Sequence, residues 1–90
     1  MARLEREGKA VKLTFDPEAD AVYITLREDV PFAFTHNVDL DRNIDYGSDD
    51  KPIGVELLGV SQGVDLTDLP CRAQIARLLA DAHLPGWDEP

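Results

Sequence analysis

The chain is poor in the residues that cross-link or anchor a protein. It has a single cysteine, Cys71, among 90 residues, which excludes an internal disulfide and favours a reducing compartment. No apolar run is long enough to cross a bilayer, and the first residues lack the apolar stretch of a signal peptide. We therefore expect a cytoplasmic protein that does not enter a membrane.

Basic residues are scarce as well. Nine lysines and arginines stand against 18 acidic residues, so the formal net charge is −9. Because so negative a surface repels phosphate, we expect no binding to nucleic acid or to an anionic membrane surface. A basic protein partner or a cation fits this charge better.

The usual signatures of chemistry are missing too. The sequence contains no glycine-rich phosphate loop, serine elbow, paired-cysteine zinc motif or basic aromatic patch. We therefore predict no catalytic residue, no metal and no cofactor, and an enzyme is the less favoured class.

What the sequence does contain is alternation. Val11, Leu13 and Phe15 alternate with polar residues, as in a strand with one apolar face, and the turn residues 16–20 follow. Residues 21–26 are apolar or neutral on both faces, which is typical of an interior strand. Shorter alternating runs at 32–40, 44–46 and 53–58 predict three further strands.

The C-terminal third has a different period. Apolar residues recur at helical spacing over 68–83, with Asp68 as cap and Pro70 in the first turn. We predict one domain over 1–90 with an α+β fold, in which a mostly antiparallel sheet of about five strands carries this helix across one face. Residues 1–9 are expected to be a flexible leader.

Two separated segments carry a resemblance. They are residues 15–26, FDPEADAVYITL, and residues 54–61, GVELLGVS, with Asp45-Tyr46 between them. This pattern over 11–61 resembles a family of small bacterial proteins catalogued as domain of unknown function 2283. The resemblance implies a fold and no activity. The family's usual turn after the Asp-Tyr pair has Asp and then Gly, whereas this chain has GSDDK at 47–51.

One acidic stretch has the spacing of metal ligands. Asp39, Asp41 and Asp45 echo the oxygen ligands of a calcium loop, but Ile44 stands where that loop needs glycine. The flanks are also strand-like instead of helical. Solvated carboxylates at a strand edge and turn are therefore the favoured interpretation, and a looser cation or ligand site stays open.

His36 is the remaining candidate for binding. It lies at the apolar parity of its strand, between Phe34 and Val38. Beside a carboxylate it could serve as a base or a ligand. A partly buried, hydrogen-bonded histidine is the favoured interpretation.

Six further residues are assigned structural or interface roles: Asp16, Pro17, Asp20, Tyr23, Gly54 and Glu56. Proline and aspartate at 16–20 favour a turn, because proline restricts φ and aspartate accepts hydrogen bonds from nearby backbone. Gly54 in mid-strand indicates a close approach by a neighbouring side chain, for which Tyr23 is the candidate. Glu56 is expected to accept hydrogen bonds from Ser61 or backbone and to hold the connector that follows.

These expectations lead to two functional hypotheses. The face that carries Tyr23 and Glu56 is apolar enough to need cover, so we expect a homodimer and a non-enzymatic protein-interaction module. An antitoxin that neutralises a basic toxin is one instance of this class. The alternative is a divalent-metal-dependent hydrolase or small-ligand-binding protein that uses the acidic cluster.

Overall fold

A five-stranded sheet dominates the computed structural model, which describes residues 12–82. The strands are β1 Lys12–Asp16, β2 Ala21–Thr25, β3 Phe32–Asp39, β4 Arg42–Gly47 and β5 Pro52–Leu58. They lie side by side in the order β1-β2-β5-β4-β3, and all neighbours are antiparallel. β5 is therefore central, β1 and β3 form the two edges, and the predicted strands are confirmed.

Aspartate residues shape the turns of the sheet, through side-chain hydrogen bonds in one turn and a left-handed backbone conformation in another. Oδ1 of Asp16 accepts hydrogen bonds from the backbone N–H groups of Glu18 and Ala19 at 3.1 and 3.3 Å, which confirms the predicted turn after β1. Between β4 and β5, Asp50 adopts a φ of 67°, the left-handed conformation that glycine takes most easily. Aspartate tolerates this conformation better than most residues.

Among residues 12–82 there is one α-helix, α1 Arg72–Ala82, which covers one face of the sheet, and a short 3-10 helix at Val60–Gln62. Its Ile75 and Leu79 are fully buried in the same cluster as the inward residues of β2 and β5. The core consists of Val22, Ile24, Leu26, Ile44, Val55, Leu57, Val60, Leu69, Ile75 and Leu79. The predicted α+β fold with the C-terminal helix on one face is therefore confirmed.

The start of α1 differs from the prediction by about one turn. Asp68 and Cys71 have φ of 65° and 55°, so the chain before Arg72 is not helical and Asp68 is not the helix cap. Leu69 is still buried, because the turn that holds it lies on the core. The predicted leader at 1–9, the strand start at Val11 and the helix end at His83 fall outside the described residues.

The third strand also differs from the prediction. Phe32 and Phe34 are 59% and 45% exposed, and His36 is exposed, although the alternation predicted that this row is at least partly buried. The core includes no fully buried residue of β3, since this strand lies at the sheet edge beyond the cluster that α1 covers. Within residues 12–82, no helix is long and apolar enough to cross a bilayer.

Candidate functional site

The face of the sheet opposite α1, called here the open face, carries two groups of hydrogen-bonded side chains. The hydroxyl of Tyr23 and that of Thr35 each donate to the carboxylate of Asp45 at 2.7 Å. The amide of Asn37 donates to Asn43, whose own amide donates to Glu56 at 3.0 Å. These bonds join β2, β3, β4 and β5, so the polar groups of the open face already satisfy one another.

Tyr23 reaches Asp45 by lying across Gly54. A Cβ built on Gly54 would overlap the phenol of Tyr23, its hydroxyl oxygen first, so only glycine leaves room for the ring. This confirms the predicted close approach between the two residues. Burial, followed by the hydrogen bond to Asp45, raises the pKa of Tyr23, so its hydroxyl stays a hydrogen-bond donor at neutral pH.

Asp20 joins the first hairpin to the segment that leaves the sheet. Its carboxylate accepts from the backbone N–H of Ser61 at 3.0 Å and from the Ser61 hydroxyl at 2.7 Å, while its carbonyl accepts from Val60 N–H at 3.1 Å. The expectation that Glu56 bonds Ser61 is therefore wrong. The side chain of Glu56 accepts from Asn43 on the open face instead.

Arg42 is a residue that the sequence interpretation missed. Its side chain is only 11% exposed, and its guanidinium contacts the Asp39 carboxylate at 2.9 Å and the backbone carbonyls of Asp65 and Thr67 at 3.1 and 2.7 Å. The hydrogen bond from Arg42 holds the pKa of Asp39 below its ordinary value. The sequence did contain a signal for this role. Arg42 lies two residues before the buried Ile44 on the same strand, so both side chains point to the α1 side of the sheet.

The four candidate binding residues do not form one site. Asp45 lies on the open face, while His36 pairs with the core residue Ile44 and so belongs to the α1 side of the sheet. Asp39 stands at the end of β3, where it bonds the N–H of Asp41 and pairs with Arg42. Across residues 12–82, no group of three or more His, Cys, Asp or Glu side chains is arranged to hold a metal ion.

A shallow pocket of about 140 Å³ opens beside the turn between β3 and β4. Its lining combines Asp39, Asp41 and Asp65 with Arg42 and the apolar side chains of Leu57 and Val64. The carboxylate of Asp39 already binds Arg42, and Asp65 accepts from Thr67 N–H at 2.9 Å. The acidic character of this pocket is therefore partly neutralised from within the chain.

The outer strand β3 presents the apolar side chains that the core does not use. Phe34 stacks on Tyr46 of β4 with ring centroids 5.0 Å apart and planes 6° from parallel. In the described part of the chain, the exposed large apolar residues are Phe32 and Phe34 on β3 and Leu40 in the turn after it. We call these three residues, with His36, the β3 edge surface.

Fold and surfaces together define a small α+β sheet protein with one covered face, one hydrogen-bonded open face and an apolar outer edge. Residues 12–61 match the model of the family described as Protein of unknown function (DUF2283), and the chain belongs to this family. No curated protein and no solved structure matches it. The matched part contains the whole sheet and the Asp20–Ser61 contact, whereas α1 lies after it.

Proposed function

We propose that the protein is a non-enzymatic protein-interaction module that associates through the β3 edge surface. The observation that carries this proposal is the exposure of Phe32 and Phe34, 59% and 45%, on a strand whose outer side lacks a neighbouring strand within residues 12–82. Single exposed apolar residues are ordinary on protein surfaces. Two large rings beside the unpaired backbone of an edge strand favour pairing with another chain.

The β3 edge is a better candidate for association than the open face. The sequence suggested that a second copy covers the open face, yet Tyr23 there already donates to Asp45, and Glu56 already accepts from Asn43. A partner on that face would gain few new hydrogen bonds. Along β3, a partner would gain both backbone hydrogen bonds and apolar contacts.

Charge adds a second class of partner. A chain with net charge −9 attracts basic proteins, because complementary charge speeds encounter and orients the complex. Neutralisation of a basic toxin is one role of this kind. The alternative role, a metal-dependent hydrolase or small-ligand binder, has no supporting observation, since Asp45 and His36 lie on opposite faces of the sheet.

The proposal is tested by adding one negative charge at either edge of the sheet. Phe34→Asp changes the β3 edge surface, and Thr14→Asp makes the matched change on exposed β1. The size of the tagged protein is measured in native lysate and after purification, and circular dichroism confirms that each variant folds. We expect Phe34→Asp to abolish association and Thr14→Asp to retain it. Equal behaviour of both variants and the unmodified protein would contradict the proposal.

A further inference from the structure

The two edges of the sheet differ in length and in charge. β1 has five residues with a charged, exposed residue at each end, Lys12 and Asp16, while β3 has eight residues. A charged lysine on an edge strand opposes pairing with another strand. β3 contains no lysine or arginine, and its one formal charge, Asp39, is paired with Arg42 at 2.9 Å. β3 is therefore the edge suited to accept a further strand.

The neutrality of β3 also determines which kind of partner strand can pair with it. A basic partner would find no complementary charge along Phe32–Asp39, because the only carboxylate there already binds an arginine. Two copies of a chain with net charge −9 repel each other over most orientations. Their repulsion is smallest where neutral strand meets neutral strand.

On these grounds, and resting on the proposed function, we infer that β3 pairs antiparallel with β3 of a second copy across a two-fold axis perpendicular to the sheet. Such an axis keeps the α1 side of both sheets on the same side. It brings Phe34 of one copy, stacked on its own Tyr46, beside the partner's β3 and extends the aromatic row. The result is a continuous sheet through both copies.

The irregularities of β3 limit the strength of this contact. Its pairing with β4 shifts register between Phe32 and Phe34 and again between Asn37 and Asp39, so the regular stretch is short. One strand pair buries less area than a standard protein interface. We therefore expect a reversible dimer whose population rises with concentration.

Sedimentation velocity of the purified full chain over a range of concentrations is the first test. The expected result is a shift from 10.0 kDa toward twice that mass as concentration rises. Phe34→Asp would place two carboxylates near the axis and weaken the dimer roughly a hundredfold or more, because facing like charges repel each other across an interface. Thr14→Asp is the matched control and should dimerise like the unmodified chain.

Cross-linking locates the axis. A residue at the two-fold axis meets its own copy, so a short bis-maleimide should link Thr35→Cys or His36→Cys into dimers. Thr14→Cys on β1 and Ala21→Cys on the open face should not link, and the unmodified chain reports any linkage through Cys71. Linkage at Thr14→Cys or Ala21→Cys without linkage at positions 35 and 36 would overturn the inference.

The outcomes separate this inference from the proposed function. A purified chain that stays monomeric at every concentration overturns the self-pairing. If Phe34→Asp nevertheless removes an assembly seen in lysate, the interaction module stands and its occupant is another protein. If neither measurement depends on Phe34, both proposals fail.

Discussion

At the residue scale, Asp20 illustrates how one side chain serves conformation and contact together. Its φ of 54° is left-handed, a conformation that aspartate tolerates better than most residues with a Cβ. In that conformation both carboxylate oxygens reach Ser61, 41 positions along the chain. The end of the first hairpin is thereby tied to the end of the sheet.

We predict that three substitutions at Asp20 separate these two roles. Asp20→Gly removes the hydrogen bonds to Ser61 and relieves the backbone, so we expect a loss of about 1–2 kcal/mol in the free energy of unfolding. Asp20→Ala should lower the free energy of unfolding by about 1–2 kcal/mol more, because alanine is disfavoured at positive φ. Asp20→Asn tolerates the same φ and keeps one acceptor oxygen for Ser61, so it should be the mildest. Urea unfolding measures all three, and equal losses for glycine and alanine would contradict the conformational role.

The contacts of single residues could be predicted where the partner is near in sequence or where a glycine leaves room for one particular side chain. The aspartate-proline turn at 16–17 and the close approach of Tyr23 to Gly54 were both predicted from residue type. The partner of Glu56 was not, because the sequence places Ser61 nearer to it than Asn43. The register of β4 against β5 brings Asn43 beside Glu56, and no local pattern encodes that register.

At the scale of elements, α1 supplies the cover that one face of the sheet requires. Ile75 and Leu79 lie one helical turn apart and are fully buried, so they form the contact stripe. The helix lies outside the part of the chain that matches the family model, residues 12–61. The sheet of this chain thus depends for its core on a segment beyond the family region.

We predict that Leu79→Ala lowers the free energy of unfolding by about 2–5 kcal/mol, because the substitution removes a fully buried side chain and leaves a cavity. Arg77→Ala, on the exposed side of the same helix, should change it by less than about 0.5 kcal/mol. Thermal or urea unfolding followed by far-ultraviolet circular dichroism gives both values. Similar losses for the two variants would mean that the helix does not pack as described.

The start of α1 and the burial of β3 show what the pattern of apolar residues alone could not predict. Helical periodicity located α1 but placed its start near Asp68, since a pattern of apolar residues does not report the sign of φ. Alternation located β3 but predicted a partly buried His36, whereas this residue is exposed on the α1 side of the sheet. An edge strand can alternate like an interior strand, and burial depends on whether another element lies over it.

At the scale of the whole molecule, the excess of acid is offset locally by ion pairs. Arg27 binds Asp49 at 2.7 Å and Arg42 binds Asp39 at 2.9 Å, and each arginine lowers the pKa of its aspartate below the ordinary value of 3.8. The folded chain then holds fewer protons than the unfolded chain near and below that pH. This contribution to stability is complete above the ordinary pKa and is lost as the pH falls through the lowered one.

We predict that Arg42→Met destabilises the protein most at neutral pH and progressively less as the pH falls. The substitution removes every hydrogen bond of the guanidinium to Asp39, Asp65 and Thr67, so the variant should be less stable at neutral pH. The difference from the unmodified chain should shrink as the pH falls through the lowered pKa of Asp39, because below it Asp39 is protonated in both chains. Urea unfolding at several pH values measures this difference. Arg77→Met, which makes the same charge change on exposed helix, is the control.

The sequence by itself determined the fold class, because strand alternation, aspartate turns and helical spacing are local and each restricts the backbone directly. It also determined the excess of negative charge. Only the tertiary structure decided which aspartates meet a partner and which strand is left uncovered. Arg42 reaches Asp65 and Asp20 reaches Ser61 across 23 and 41 positions, and β3 is bare because strand order puts it at the edge. These outcomes depend on register and strand order, which arise only when distant segments pack together.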